Sequence, residues 1–123
     1  MTRTRAAFHI MIGFMCVDNE IVEPEIKEIV NYIKDHFKII DFDPVLEVRE
    51  LSQIDRAGRI DVFARALAFL SYHITLEQKN DLVESIVDMI VADKIVRDSE
   101  GFLFDLVRKE WGIDVKSRVK LLL

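Results

Sequence analysis

The chain has 123 residues, a length that fits one domain, 1–123, with a core of its own. Half of the residues are hydrophobic and only four glycines and two prolines interrupt them, which argues against a many-stranded β fold. The formal net charge of −5 argues against a general nucleic-acid-binding protein, because such proteins use a basic face to neutralise phosphates.

Helical periodicity predicts a first helix from about Arg5 to Val17, apolar on nearly all sides and therefore buried. Arg3 and Arg5 before this run imitate a signal peptide, but His9 interrupts the run and no small-residue cleavage site follows. The run is also shorter than the roughly 20 apolar residues that span a bilayer. We therefore expect a core helix of a cytoplasmic protein, in which Cys16, the single cysteine, is an inert buried thiol.

The next two predicted helices are less apolar than the first. Helix two, from about Pro24 to Phe37, has one apolar and one charged face, so it packs on one side only. His36 near its end is expected to cap the helix, where a cation complements the dipole. Asp43 and Pro44 then predict an N-cap and a first-turn proline for a short third helix.

Two strongly apolar patterns follow. The fourth helix, from about Arg59 to Ile74, is the most hydrophobic and is expected to be the central post of the bundle. His73 at its end is expected to be a hydrogen-bonded core or boundary residue. Thr75 and Gln78 have the spacing of a capping box, which predicts that the fifth helix begins there and continues to about residue 92.

The C-terminal part predicts a sixth helix, capped by Asp98 or Ser99 and ended by Gly112, and then a short basic helix from Asp114. The expected fold is an all-α, single-domain bundle of six or seven helices, with a core built from the helices at 5–17, 59–74 and 75–92. The segment Val119-Lys120-Leu121-Leu122-Leu123 is expected to dock on this bundle or to form a dimer contact, because three consecutive exposed leucines would be an unusual apolar patch.

The two ends of the chain repeat one another, at about 8–39 and 82–113. A shift of 82 − 8 = 74 residues pairs Phe8 with Leu82 and Phe37 with Trp111, apolar on both sides at helical period. Two generic helix hairpins would give the same match. Because the loops agree as well, at a shift of 75, a duplicated helix-loop-helix unit is the favoured explanation.

Both loops of the repeat are acidic. The carboxylates concerned are Asp18, Glu20 and Glu25 in the first loop and Asp93, Asp98 and Glu100 in the second. Such acids either stabilise the N-terminus of the following helix through its dipole, or bind a hard divalent cation such as Ca²⁺, Mg²⁺ or Mn²⁺. We expect a weak cation site in the first loop and a poorer one in the second.

The residues of these loops carry a family resemblance. Val17-Asp18-Asn19-Glu20-Ile21 with Glu25, and Ala92-Asp93-Lys94-Ile95-Val96 with Glu100, place an aspartate at the end of an apolar helix and a glutamate seven residues later. This pattern resembles the TerB-like family, which includes tellurite-resistance proteins and the N-terminal domain of the co-chaperone DjlA. Asn19 and Lys94 stand where the family usually has glycine. The resemblance implies a helical bundle that binds divalent metal or protein partners without catalysis, with a link to stress or tellurite resistance.

No catalytic motif stands beside this resemblance. HExxH, a P-loop, GxSxG, CxxC and the Glu-x-x-His pair of di-iron bundles are all missing from the sequence. We therefore expect no catalytic residue, no enzyme and no cofactor other than a divalent cation. Two functions remain open, a metal-binding TerB-like module and a helical adaptor that binds another protein or a second copy of itself.

Overall fold

The computed structural model describes residues 1–16, 23–93 and 98–122, apart from the side chains of Cys16, Asp93 and residues 98–100. This part of the chain forms seven helices and no strand, which confirms the predicted all-α bundle. The helices are α1 Arg3–Cys16, α2 Glu23–Phe37, α3 Pro44–Ser52, α4 Arg56–His73, α5 Leu76–Asp93, α6 Asp98–Trp111 and α7 Val115–Leu122.

Local capping chemistry sets the starts of three helices. The Asp43 carboxylate accepts hydrogen bonds from the Val45 and Leu46 backbone N–H groups at the start of α3. Thr75 and Gln78 make the reciprocal capping box of α5, at 2.9 and 3.1 Å. These two predictions are confirmed. Helix α4 begins at Arg56, three residues before the predicted start, because the carboxylate of Asp55 accepts from the Gly58 N–H at 2.8 Å and caps it.

Two helices end on residues with positive φ. Gly112 has φ 70° directly after α6, as a C′ glycine does, and its N–H donates to the Arg108 carbonyl. Lys38 takes the equivalent place after α2, with φ 64° and its N–H on the Lys34 carbonyl. A left-handed lysine is uncommon, since its Cβ crowds the backbone there. His36 lies in the last turn of the same helix, and its Nδ1 lies 3.0 Å from the Tyr32 carbonyl, one turn earlier. Because this carbonyl is not one of the free carbonyls at the helix end, the predicted cap stays a prediction.

Helix α1, rather than α4, lies at the centre of the bundle. It packs against α2, α4, α5 and α6, and its side chains are buried on every face, as its unbroken apolar pattern requires. Helix α4 buries one stripe, made of Phe63, Ala66, Leu67 and Leu70, and leaves Tyr72 in solvent. The expectation that α4 is the central post is therefore wrong. His73 is also exposed, and its Nδ1 bonds the Phe69 carbonyl of its own helix.

Helices α1 and α4 approach closely at Gly13. A Cβ atom at this position would lie 2.5 Å from Cδ2 of Phe63, so only glycine fits against that ring without displacement. The Phe63 ring meets Phe14 edge-on at 5.3 Å, and Phe14 stacks on Phe104 of α6 at 5.5 Å. These rings join α1, α4 and α6 into one core.

Within the described ranges, no helix is both long enough and apolar enough to cross a membrane.

Candidate functional site

The acidic loops predicted from the sequence lie at the junctions of two helix pairs. Helix α1 ends at Cys16 and α2 begins at Glu23, while α5 ends at Asp93 and α6 begins at Asp98. The residues between these helices, 17–22 and 94–97, lie outside the described residues.

Most of the predicted cation ligands lie outside the described residues. This holds for Asp18 and Glu20, and for the side chains of Asp93, Asp98 and Glu100. Glu25 is described, and it is partly buried in the first turn of α2. Since one ligand of six is placed, the cation sites stay predictions.

One described carboxylate near the first loop, that of Glu23, makes an ordinary surface contact. Glu23 lies 3.9 Å from the ammonium of Lys27, one turn later on α2, and both side chains are largely exposed. An exposed pair of this kind contributes at most about 1 kcal/mol. Among the described side chains, no three His, Cys, Asp or Glu residues are grouped closely enough to hold a metal ion.

A buried polar cluster joins α3 to α1. The carboxylate of Glu47, on α3, is buried between two residues of α1. Its Oε2 lies 2.8 Å from Nε2 of His9, and its Oε1 lies 2.6 Å from Nε of Arg5. The second contact is ionic only, because its geometry does not make a hydrogen bond. One carboxylate thus compensates two buried nitrogens and fixes the short helix α3 to the core.

The cluster keeps His9 neutral. Burial lowers the pKa of His9, and the hydrogen bond and charge of Glu47, which raise it, do not offset that effect. In the neutral ring, Nε2–H donates to Glu47 and Nδ1 is an acceptor. Neither His9 Nδ1 nor Nε of Arg59 has a hydrogen-bond partner among the described residues.

Both His9 and Arg59 line a small cavity between α1, α3 and α4. Its volume is about 10 Å³, and Gly13, Leu51 and Phe63 form part of its wall. This is room for about one water molecule, which the two nitrogens could bind, but not for a substrate. The cluster is therefore suited to holding helices together rather than to catalysis.

Glu47 was not among the residues singled out from the sequence. It precedes Leu51 by four residues, so the helical period places the two side chains on one face, and Leu51 is buried. A second signal was His9, since a histidine within an apolar helix needs a buried hydrogen-bond partner. Neither signal identifies the partner, because His9 and Glu47 are 38 residues apart.

An apolar groove lies between α5 and α7. It encloses about 300 Å³ and is lined by Glu84, Val87, Asp88, Arg118, Leu121 and Leu122. Helix α7 is fixed in place by the buried Val115 and Val119, and by Arg118, whose Nη2 donates to Asn80 of α5 at 3.0 Å. We call this surface the α5–α7 groove.

The leucines at the end of α7 do not dock on the bundle. Leu121 is 85% exposed and Leu122 is 60% exposed, while Val119, two residues earlier, is buried. Of the two predicted outcomes for the segment from Val119, docking is thus found for Val119 and is wrong for these two leucines. Leu123 lies outside the described residues. The dimer contact stays a prediction.

The wall of the α5–α7 groove opposite the leucines is acidic. Glu84 and Asp88 stand four residues apart on the exposed side of α5, so both face the groove. Asp88 also lines a second cleft of about 260 Å³, between α5 and α2, where Glu28 and Asp35 add two more carboxylates. The outer surface of α5 therefore presents negative charge to any segment that enters the groove.

Comparison of the chain with protein-family models, with curated proteins and with solved structures finds no match. The TerB-like resemblance consequently still depends on the two loop patterns described from the sequence.

Proposed function

We propose that this protein is a cytoplasmic, non-enzymatic helical interaction module that binds a basic, apolar helical segment of a protein in the α5–α7 groove. The observation that carries the proposal is the exposure of Leu121 and Leu122 at the rim of a groove whose opposite wall is acidic. This is the adaptor function predicted from the sequence, with a location and a class of ligand.

The apolar part of the groove supplies the driving force. Burying a leucine side chain that was in water contributes roughly 1.5–3 kcal/mol, so two exposed leucines favour a partner that covers them. Val87 of α5 extends the same apolar surface into the groove. A bound segment must therefore present an apolar stripe.

The charged part of the groove supplies the selectivity. Two carboxylates, Glu84 and Asp88, line the groove against one guanidinium, that of Arg118, which leaves the lining with a net negative charge. This charge favours a segment that carries Lys or Arg beside its apolar residues over an acidic one. A helix is the natural form of such a segment, since apolar anchors at i, i+3 and i+4 fall on one face and match an elongated groove.

The proposal that the protein is not an enzyme is supported by the buried cluster. His9 and Glu47 are the buried titratable pair of the described core, and the cavity beside them has the size of one water molecule. A general acid or base must reach its substrate within hydrogen-bond distance. The packing of Phe63 and Leu51 around this cavity prevents that access.

A designed peptide tests the proposed function. The probe is a fluorescent helical peptide with Leu at i, i+3, i+4 and i+7 and Lys at the flanking positions. We expect fluorescence anisotropy to show saturable binding that weakens with added salt, because the contact includes charge pairs. A peptide with Glu in place of each Lys should bind at least about tenfold more weakly.

Variants then locate the binding surface. Leu121→Ser with Leu122→Ser, and separately Glu84→Lys with Asp88→Lys, should each reduce peptide binding. The matched control is Leu76→Ser, which removes a leucine that is 63% exposed at the start of α5, outside the groove lining. Equal binding of the basic and acidic peptides, or loss of binding in the Leu76 variant alone, would reject this function.

The second candidate function is divalent cation binding by the TerB-like loops. It is favoured by the placement of both acidic segments between consecutive helices, and by the acidic first turn of α2. A cation at about 100 times its Kd would raise the free energy of unfolding by roughly 2.7 kcal/mol. Millimolar Ca²⁺, Mg²⁺ or Mn²⁺ should then raise the melting temperature, and the double variant Asp18→Asn with Glu25→Gln should abolish this rise. An equal rise in this variant would assign the acids to the helix ends instead.

A further inference from the structure

We infer that the segment that occupies the α5–α7 groove is helix α7 of a second copy of this chain, so that two chains form a two-fold symmetric dimer. This inference rests on the proposed function, since it names the ligand of the same groove. It is carried by the charge and the apolar residues that the two walls of the groove present.

Helix α7 has the chemistry that the groove selects. Leu121 and Lys120 are adjacent in sequence, so they lie about 100° apart around the helix and share its outward surface. Both are exposed. Val115 and Val119 occupy the opposite, buried face. Helix α7 therefore offers an outward apolar side chain with a cation beside it, while its other face holds it on its own bundle.

Helix α5 of the same chain has the complementary charge. Glu84 and Asp88 are exposed, and within the described part of the chain neither makes an ion pair. Lys120 likewise has no ion-pair partner in that part. The acids line the groove beside Leu121, and the lysine is the sequence neighbour of the same leucine. Two copies facing each other would pair these charges.

A two-fold axis satisfies both copies at once. In such an interface residue i of one copy contacts residue j of the other, and j of the first contacts i of the second. Leu121 of each copy would enter the groove of its partner, and Lys120 of each would lie against Glu84 and Asp88 of its partner. The contact closes after two chains because the two-fold axis places both grooves and both α7 helices in the same interface, and leaves none free for a third chain.

The first measurement is the molar mass of the full chain in solution. Sedimentation across a range of concentrations should show a monomer–dimer equilibrium. Leu121→Ser should raise the dimer dissociation constant by at least about tenfold, and Leu76→Ser should leave it unchanged. The residue at 121 is exposed, so this variant keeps its fold, which an unchanged melting temperature would verify.

Charge reversal provides the decisive test. The first variant, Lys120→Glu, places a third carboxylate against the acidic wall of the partner copy. The second variant, Glu84→Lys with Asp88→Lys, places two lysines against Lys120 of the partner copy. Each variant should therefore be monomeric on its own. When the two variants are mixed, the glutamate at position 120 of the first variant lies against the two new lysines of the second. Lys120 of the second variant lies against the native Glu84 and Asp88 of the first. Both contacts then pair opposite charges, so a heterodimer should form. Increasing salt should weaken this heterodimer.

The outcomes separate this inference from the proposed function. A chain that stays monomeric at every concentration, while the basic peptide still binds in a manner that depends on Leu121, rejects the dimer and keeps the interaction module. A dimer that persists in the Leu121→Ser variant, or charge variants that stay monomeric when mixed, also rejects it. If neither peptide nor second copy binds, both proposals fail.

Discussion

Gly13→Ala is the substitution that tests the central packing of this fold most directly. The new Cβ would lie 2.5 Å from Cδ2 and 3.2 Å from Cε2 of Phe63. Phe63 is 1% exposed and meets Phe14 at 5.3 Å, and the cavity beside it, of about 10 Å³, leaves its ring little room to move. Alanine gains about 1 kcal/mol of helix propensity over glycine, whereas overpacking of a core costs about 1–3 kcal/mol. Because the contact is with a fixed ring, we expect a net loss of about 1–2 kcal/mol.

The matched control is the same substitution in α6. A Cβ at Gly101 meets no atom within 4 Å, so Gly101→Ala should gain up to about 1 kcal/mol from helix propensity alone. Urea denaturation of both variants should therefore give changes of opposite sign. Phe63→Leu should relieve part of the clash, so the double variant with Gly13→Ala should be more stable than the sum of the single changes. If Gly13→Ala stabilises the protein as much as Gly101→Ala, the described approach of α1 and α4 is wrong.

Two further predictions concern the pH dependence of stability. Burial lowers the pKa of His9, so the folded state prefers the neutral ring. The stability that the neutral His9 ring contributes is complete above about pH 6.5 and decreases as the pH falls. His9→Gln should reduce the dependence of the urea midpoint on pH between pH 7 and 5. An unchanged dependence would mean that other groups cause the loss of stability in this range. Burial raises the pKa of Tyr32 to about 12, so the stability that Tyr32 contributes is complete below about pH 10 and is lost towards pH 12. Tyr32→Phe should therefore unfold at a higher pH than wild type, and an equal midpoint would contradict the buried hydroxyl.

The helix boundaries were largely predictable because short-range chemistry sets them. Asp43 before Pro44, the pair Thr75 and Gln78, and Gly112 all act on backbone groups within four residues. Helix α4 was the exception at its start. Asp55 lies in a polar stretch that is predicted to be a break between helices. An aspartate directly before a helical pattern is nevertheless a capping signal, because its carboxylate can accept from the backbone N–H three residues later.

The arrangement of the helices was less predictable, because it depends on contacts between distant residues. The most hydrophobic pattern was assigned to the centre, but Tyr72 of that helix is exposed and α1 is central. A tyrosine fits either position, since its ring is apolar and its hydroxyl polar. Gly13 has no sequence signal at all, because its role arises from a phenylalanine 50 positions away on α4 (63 − 13 = 50).

The candidate site likewise combines local features, which are visible in the sequence, with long-range features, which are not. The acidic loops are local patterns and are visible in the sequence, whereas the α5–α7 groove exists only because α7 folds back onto α5. The exposed leucines were recognised as unusual, but their surroundings were not predictable. Glu84 and Asp88 belong to a charged helix face of a common kind, and only their position in one groove with Leu121 supports the role we propose for them.

The way in which α7 is attached separates folding from binding. A helix of 8 residues is not stable alone in water, so α7 depends on tertiary contacts. Those contacts use Val115 and Val119 on one face and the Arg118 bond to Asn80. Leu121 lies on the other face and contributes nothing to them. A chain that only needed to fold would gain solubility from a polar residue at this position. In the function we propose, a partner covers this leucine, and its burial then adds to affinity without being required for the stability of the single chain.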